Sequence, residues 1–238
     1  MSSPQRRLAV SPGDVISYLD MCRDSGVSLQ RGMYFRLKGR TSILLMSRRR
    51  DAHYEDQVED NGKILIYEGH DARNIRGGPD PKSVDQPGTN IRGTATENQL
   101  FFQAAQLYKR GQTAPEQVSV FEKVHRGIWV YNGVFNLADA WLQQSGSRKV
   151  FKFKLELRDD PKPIPGEKRA IEHARLIPTS VKLEVWKRDK GSCAKCGKKD
   201  NLHFDHILPY SKGGSSLEAK NIQILCARHN LEKRDKIE

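Results

Sequence analysis

Cysteine is scarce in this chain, with four among 238 residues, and aromatic residues make up only 8%. Four thiols are too few for a disulfide scaffold and fit a reducing compartment. Long apolar runs are missing: no stretch approaches the ~20 consecutive apolar residues of a membrane span. The opening residues, Met1-Ser-Ser-Pro-Gln-Arg-Arg-Leu-Ala-Val10, hold no apolar core of a secretory signal. No internal repeat or low-complexity tract is apparent. Together these absences exclude a disulfide-stapled secreted module, a helical membrane protein and a repeat solenoid, and they predict a soluble, cytoplasmic protein. Acid is also in short supply, with 29 Asp and Glu against 41 Lys and Arg, a net charge of +12. Both sides of Val181 are net basic, so attraction to phosphate is spread along the chain, and any nucleic-acid binding should weaken with salt.

Three of the four cysteines sit in one C-terminal segment. Cys193-Ala-Lys-Cys196 and Cys226-Ala-Arg-His229 form a CxxC and a CxxH pair separated by 29 residues. That spacing lets two short knuckles converge on one tetrahedral Zn²⁺. The fourth, Cys22, is left over as a small hydrophobe. Between the knuckles lie Asp205-His206 and, with 14 residues between, Asn221; Asn230 follows His229. A zinc ribbon needs none of these four. Imidazole, which ordinarily titrates at about pH 6.5, suits proton abstraction from water near neutral pH. Carboxylate and amide oxygens favour Mg²⁺ or Mn²⁺ over the zinc that thiolates select, so two different metals are implied.

The order of these residues, over about Val181 to Lys236 and including Pro209-Tyr-Ser-Lys-Gly213-Gly214, resembles the HNH (ββα-metal) endonucleases. The resemblance implies His206 as general base, Asn221 as the brace of the loop between two strands, and Asp205 with Asn230 as ligands of the catalytic cation. It also implies a structural zinc on Cys193, Cys196, Cys226 and His229, the last standing where relatives usually have Cys. Lys233 and Arg234, on the final helical turn, are candidate phosphate contacts. His203, on the same strand face as Asp205, is left open between ligand and surface residue.

Arg158-Asp-Asp-Pro161-Lys-Pro163-Ile-Pro165-Gly166 is charged and proline-rich, so the sequence divides into residues 1–160, a linker over 161–179 containing a short helix from Glu167 to Leu176, and residues 180–238. In the first part, Ser11-Pro12 opens a predicted helix through Cys22. Strand-like runs follow at Met33 to Leu37, Ile43 to Met46 and Ile64 to Tyr67. A helix is predicted from Glu97 to Arg110, capped by Thr96, with Leu100, Ala104, Leu107 and Tyr108 on its inner face. Further strands are expected at Val118 to Val124, Ile128 to Tyr131 and Val150 to Leu157, and Asn132-Gly133 reads as a type I′ hairpin turn.

Tyr54-Glu-Asp56-Gln-Val-Glu-Asp-Asn-Gly62, Ile64-Leu-Ile-Tyr67-Glu-Gly69, Asp85-Gln86, Thr89-Asn90 and Tyr131-Asn-Gly133 fall in an order similar to SRA domains, the readers of modified cytosine. That likeness covers roughly Met33 to Asp160. It implies an α+β chain: a curved SRA-like β-barrel with flanking helices, followed by the small zinc-stapled HNH domain. It further implies a modified base flipped out of the duplex and held between Tyr54 and Tyr67. Asp56 or Gln57 would accept from the cytosine amino group, and backbone at Arg50 to His53 and at Glu68 would meet the other edge atoms. The loops Arg73 to Gly78 and Lys82 to Arg92 suit groove entry and filling of the vacated stack. Ordinary strand packing of both tyrosines is the bland alternative.

The two halves match the arrangement of SRA-HNH modification-dependent restriction endonucleases, type IV or IIM-like. The implied substrate is double-stranded DNA carrying 5-methylcytosine or 5-hydroxymethylcytosine. One HNH site cuts one strand, so a double-strand break implies a homodimer or transient dimer, two independent nicks, or two proteins recruited to one locus. An HNH nicking or homing-type nuclease indifferent to modification, and a non-catalytic zinc-containing methylcytosine-binding regulator, stand as alternatives.

Overall fold

A computed structural model of the chain describes residues 10–47, 54, 56–60, 63–158, 176–209 and 212–233. In chain order its elements are β1 (Val15–Ser17), α1 (Tyr18–Ser25), β2 (Met33–Tyr34), β3 (Ser42–Met46), β4 (Gln57–Glu59), β5 (Ile64–Glu68), α2 (Glu97–Lys109), β6 (Gln117–His125), β7 (Ile128–Ser145), β8 (Arg148–Leu157), α3 (Thr179–Arg188), β9 (Leu202–His206), β10 (Ile222–Cys226) and α4 (Ala227–Lys233). The class is α+β, as expected. By compactness the chain groups into one unit of Met1–Gln30, Phe121–Gly133 and Asp159–Glu238, and a second of Arg31–Val120 and Val134–Arg158. No helix among the described residues is long and apolar enough to cross a membrane. The predicted linker helix falls mostly on residues outside those described.

In the first unit, β9 and β10 pair antiparallel, with His206 opposite Ile222 and Asp205 opposite Gln223. α3 and α4 pack on β10. The core here is Val181 and Val185 of α3 against Leu202, Phe204, Ile222, Ile224 and Leu225, joined by Val124 and Val130 of the β6–β7 turn region. The predicted helix from Ser11 starts later than expected. Gly13, at φ 95°, donates to the Tyr131 carbonyl and accepts from Phe204 N–H, so its backbone is committed to bridging strands. Val15–Ser17 then pairs with Ile128–Val130 as β1, and Ser17 caps α1 through its hydroxyl, which accepts from Asp20 N–H at 3.1 Å.

A second correction concerns Asn132-Gly133. β7 runs unbroken through this dipeptide, and the reversal falls at Arg126-Gly127, where Gly127 has φ 74°. Asn132 is 2% exposed; its amide donates to Glu122 at 3.1 Å and accepts from Lys182 at 2.7 Å. A side chain committed to a buried ion pair cannot sit at a solvated turn. Gly133 keeps the positive φ, 104°, inside the strand.

The second unit is built on the sheet order β2-β3-β6-β7-β8-β5-β4. Met33, Leu44, Leu65, Val118, Val120, Phe135, Leu137, Phe153 and Leu155 fill its core, with Phe101 of α2 edge-on to Phe35 and Phe153. Thr96 caps α2 as predicted, accepting from Gln99 N–H at 3.4 Å. The inner face of α2 is offset by one residue from the prediction: Asn98, Phe101 and Ala105 are buried, while Leu107 and Tyr108 are over a third exposed.

Candidate functional site

The metal-ligating residues come together. One donor atom each from Cys193, Cys196, Cys226 and His229 lies within 4.8 Å of all the others. Cys196 and Cys226 Sγ are 3.8 Å apart, and His229 Nδ1 is 3.3 Å from Cys193 Sγ and 3.5 Å from Cys226 Sγ. A zinc tetrahedron with Zn–S bonds of ~2.3 Å has S–S edges of ~3.8 Å, and shorter edges to nitrogen. The residues therefore fit a structural zinc, with His229 as its fourth ligand. Burial would raise the Cys193 thiol, yet backbone donors of Cys226 and the His229 ring outweigh it and bring the pKa down to about 6, toward the thiolate a metal needs.

Beside the staple, β9 ends in the Asp205-His206 pair, 8% and 6% exposed. His206 Nε2 meets Ser216 Oγ at 2.7 Å, a partner that sequence reading did not single out. Asn221 reaches across the loop that follows. Its Oδ1 accepts from Leu208 N–H at 2.8 Å, and its Nδ2 donates to the carbonyls of Leu208 and Ser215 at 3.1 and 3.0 Å. Gly214 is required by this arrangement, since a Cβ there would run into the Leu208 carbonyl and crowd Asn221 Nδ2 at 2.8 Å.

Lys233 departs from its predicted place among solvent-facing phosphate contacts. It is 2% exposed, its ammonium donates to Asp205 Oδ2 at 2.5 Å, and it also donates to the His206 carbonyl. A buried carboxylate at the end of β9 needs a counter-charge, and the Lys233 ammonium supplies it. Asn230 lies one turn earlier on the same helix, half-buried. Arg234 is outside the described residues. His203 is not directed at Asp205; its Nδ1 meets Asp14 Oδ1 at 2.5 Å.

In the second unit, Tyr67 on β5 is 4% exposed and Tyr54 half-buried. Burial pushes the Tyr67 hydroxyl well above its usual pKa, and Asp56 and Tyr54 add to the effect, which puts the three side chains in one neighbourhood. Tyr54 stacks on His70 with ring centroids 6.1 Å apart and planes at 24°, and Lys82 Nζ lies 4.5 Å from the Tyr54 centroid. The carboxylate of Asp56 accepts from Glu68 N–H at 3.1 Å, and burial raises its pKa to about 7. Gln57 is exposed on β4. The Glu68 side chain is 3% exposed and engaged with Lys152 at 2.9 Å and Arg148 at 3.5 Å, leaving its backbone as the part that faces Asp56. Arg148 also pairs with Asp71 at 2.5 Å, and Lys82 with Asp71 at 2.9 Å. Arg50 to His53 lie outside the described residues.

The strap after Tyr67 is pinned from two sides. Gln86 donates to the Gly69 carbonyl at 2.7 Å, and the Asn98 amide brackets the backbone of His70, accepting from its N–H at 2.8 Å and donating to its carbonyl at 2.9 Å. A Cβ on Gly69 would come within 2.6 to 2.9 Å of Asn98, Gln86 and Phe151, so glycine is required there. The loop Lys82 to Arg92 ends in a tight turn. Asn90 Oδ1 accepts from Arg92 and Thr94 N–H, and Ile91 at the tip is 95% exposed.

Residues 192–238 match the family model described as HNH endonuclease. No curated protein matches the chain. Among solved structures it is similar to the SUVH5 SRA complex with methylated CHH DNA, at 21% identity and TM-score 0.44, covering 68% of this chain and 97% of that chain. It is also similar to the SUVH5 SRA complex with hemi-methylated CG DNA, at 23% identity and TM-score 0.44 with the same coverage. A third is SUVH5 SRA bound to fully hydroxymethylated CG DNA, at 22% identity and TM-score 0.43, again covering 68% and 97%. The matched C-terminal segment, with its paired strands, its Asp205-His206 end and its zinc-fitting cluster, is an HNH endonuclease domain.

Proposed function

We propose that the chain is a modification-dependent DNA endonuclease, of the kind that restricts foreign DNA. Residues 1–160 would read 5-methylcytosine or 5-hydroxymethylcytosine in duplex DNA, and residues 180–238 would hydrolyse a nearby phosphodiester. The observation that carries this reading is the presence in one chain of an HNH endonuclease domain and a neighbourhood of a buried Tyr67 with a half-buried Tyr54 and Asp56. Strand aromatics alone do not need a carboxyl group buried among them. Asp56, rather than the exposed Gln57, is the residue we assign to the cytosine amino group, because it lies half-buried near Tyr67 and is bonded to Glu68 N–H. A base flipped between Tyr54 and Tyr67 would recover on two rings the stacking it loses in the duplex. The exposed Ile91, held on its rigid turn next to Arg92, suits insertion into the vacated stack.

In the nuclease domain His206 is the proposed general base. Ser216 Oγ meets its Nε2 and helps to orient the ring that would take the proton from the attacking water. Asn221 fixes the loop that follows His206, and so the direction of the ring. Lys233 holds Asp205 Oδ2; the other carboxylate oxygen and the Asn230 amide oxygen are the donors that would hold Mg²⁺ or Mn²⁺. Such a cation, when bound, would supply the positive charge for the phosphorane-like transition state and the leaving oxygen. One HNH site cuts one strand, so a double-strand break would come from a dimer, from two independent nicks or from two proteins at one locus.

The test is one duplex synthesised with cytosine, 5-methylcytosine or 5-hydroxymethylcytosine at the same positions, incubated with the protein and Mg²⁺ or Mn²⁺. Cutting confined to modified duplexes, and lost in His206→Ala while binding persists, is the expected result. Equal cutting of all three would discard the base pocket and leave a nuclease indifferent to modification. Selective binding without cleavage by the wild type would leave a regulator.

A further inference from the structure

His70 carries a polar atom with no visible purpose in the fold. Its Nε2 is buried and has no hydrogen-bond partner among the described residues. Burial, with the nearby Arg31 charge adding to it, lowers its pKa to about 4, so the ring is neutral at physiological pH. Its backbone is held on both sides by the side-chain amide of Asn98, which is itself 1% exposed. It lies where the base reading needs a group: its ring stacks on Tyr54, and its Nε2 shares the vicinity of Gly32 with the Tyr67 hydroxyl. A Cβ at Gly32 would come within 2.5 Å of Tyr67 Oη and 3.0 Å of His70 Nε2, so only a residue without a side chain fits against these two polar atoms.

We infer that His70 Nε2 is a specificity group of the base pocket, and that it recognises a hydroxylated substituent at C5 of the flipped cytosine. This rests on the base-pocket reading above. A neutral imidazole presents either an N–H or a lone pair at Nε2, depending on tautomer. A hydroxyl can answer both, accepting in one case and donating in the other; a methyl group can answer neither. With 5-methylcytosine bound, Nε2 stays buried without a partner, an arrangement that carries a desolvation penalty. With 5-hydroxymethylcytosine the same atom is satisfied. The amino group does not compete for His70, because Asp56 is the acceptor assigned to it. The pocket should therefore rank the three bases in the order 5-hydroxymethylcytosine, 5-methylcytosine, cytosine.

The experiment is competition binding of the full-length protein to one duplex carrying each base at a single position, in wild type and His70→Phe. Phenylalanine keeps a flat ring against Tyr54 and removes the unsatisfied nitrogen. The wild type should prefer 5-hydroxymethylcytosine over 5-methylcytosine by roughly tenfold, the ratio expected for one satisfied buried hydrogen bond. His70→Phe should bring that ratio to about one while keeping both modified bases above cytosine. Equal wild-type affinity for the two modified bases, both above cytosine, would overturn the role of His70 and leave the pocket standing, whether or not the variant folds. Equal wild-type affinity for all three would remove the pocket itself, and this inference with it. An unchanged tenfold ratio in a folded His70→Phe would assign the preference to another group and overturn the inference.

Discussion

Asp56 is the residue whose chemistry depends most on where the fold puts it. An ordinary Asp has a pKa of 3.8; here burial raises it to about 7, against the opposing donors Glu68 N–H and Ser47 N–H. The folded chain therefore holds this proton at pH values where the unfolded chain has released it. The stabilising contribution is complete below about pH 4 and is lost as pH rises through about 7. Asp56→Asn, which cannot ionise, should gain stability relative to wild type between pH 4 and pH 8, by up to ~4 kcal/mol. Urea unfolding of both proteins at the two pH values measures it, and parallel curves would refute the burial of an ionisable carboxyl. Cysteine spacing made the zinc-fitting cluster legible in the sequence, because CxxC and CxxH knuckles impose their own geometry. The partners of His206 and Asp205 were not legible, since Ser216 and Lys233 reach them through tertiary packing that no local pattern encodes.

At the scale of elements, α3 is tied to the β6–β7 turn region by a buried cluster. Lys182, 2% exposed, donates to Glu122 at 2.6 Å and to Asn132 at 2.7 Å, and Thr179 at the helix start also donates to Glu122. Burial alone would raise the Glu122 pKa, but Lys182 together with Thr179 and Asn132 holds it below its ordinary value. Removing the ammonium strands the carboxylate in the core, so Lys182→Met should cost about 3–5 kcal/mol. Adding Glu122→Leu removes the stranded charge, and the double variant should recover more than half of that loss; a double variant as unstable as the single would mean that packing, not charge, joins these elements. This cluster also explains what the sequence hid. Asn132-Gly133 carries a strong turn signature, and only the long-range pairing of Asn132 with Glu122 and Lys182 overrides it. Thr96 was legible as a cap because capping is a local bond, whereas the buried face of α2 slipped by one residue because its contacts are set by the sheet.

For the whole molecule the deciding quantity is a net charge of +12 spread over both sequence halves. Distributed positive charge binds phosphate without regard to base identity, and each phosphate contact releases counterions, so affinity falls with salt at a log–log slope of about 0.9 per contact. Stacking on Tyr54 and Tyr67 and a bond to Asp56 exchange no counterions. The proposed reading therefore separates affinity from selectivity. Raising salt from 50 to 200 mM should weaken binding to modified and unmodified duplexes alike, by roughly a thousandfold if about six phosphates are engaged. The ratio between the two duplexes should hold within about twofold over the same range. Equilibrium binding at several salt concentrations reads both quantities at once. A ratio that collapses with salt would mean that modification is sensed through the basic loops Arg73 to Gly78 and Lys82 to Arg92, by their hold on the backbone. A stable ratio over a steep common slope would leave the buried pocket as the reader and the basic surface as the anchor that holds the duplex while the HNH domain cuts.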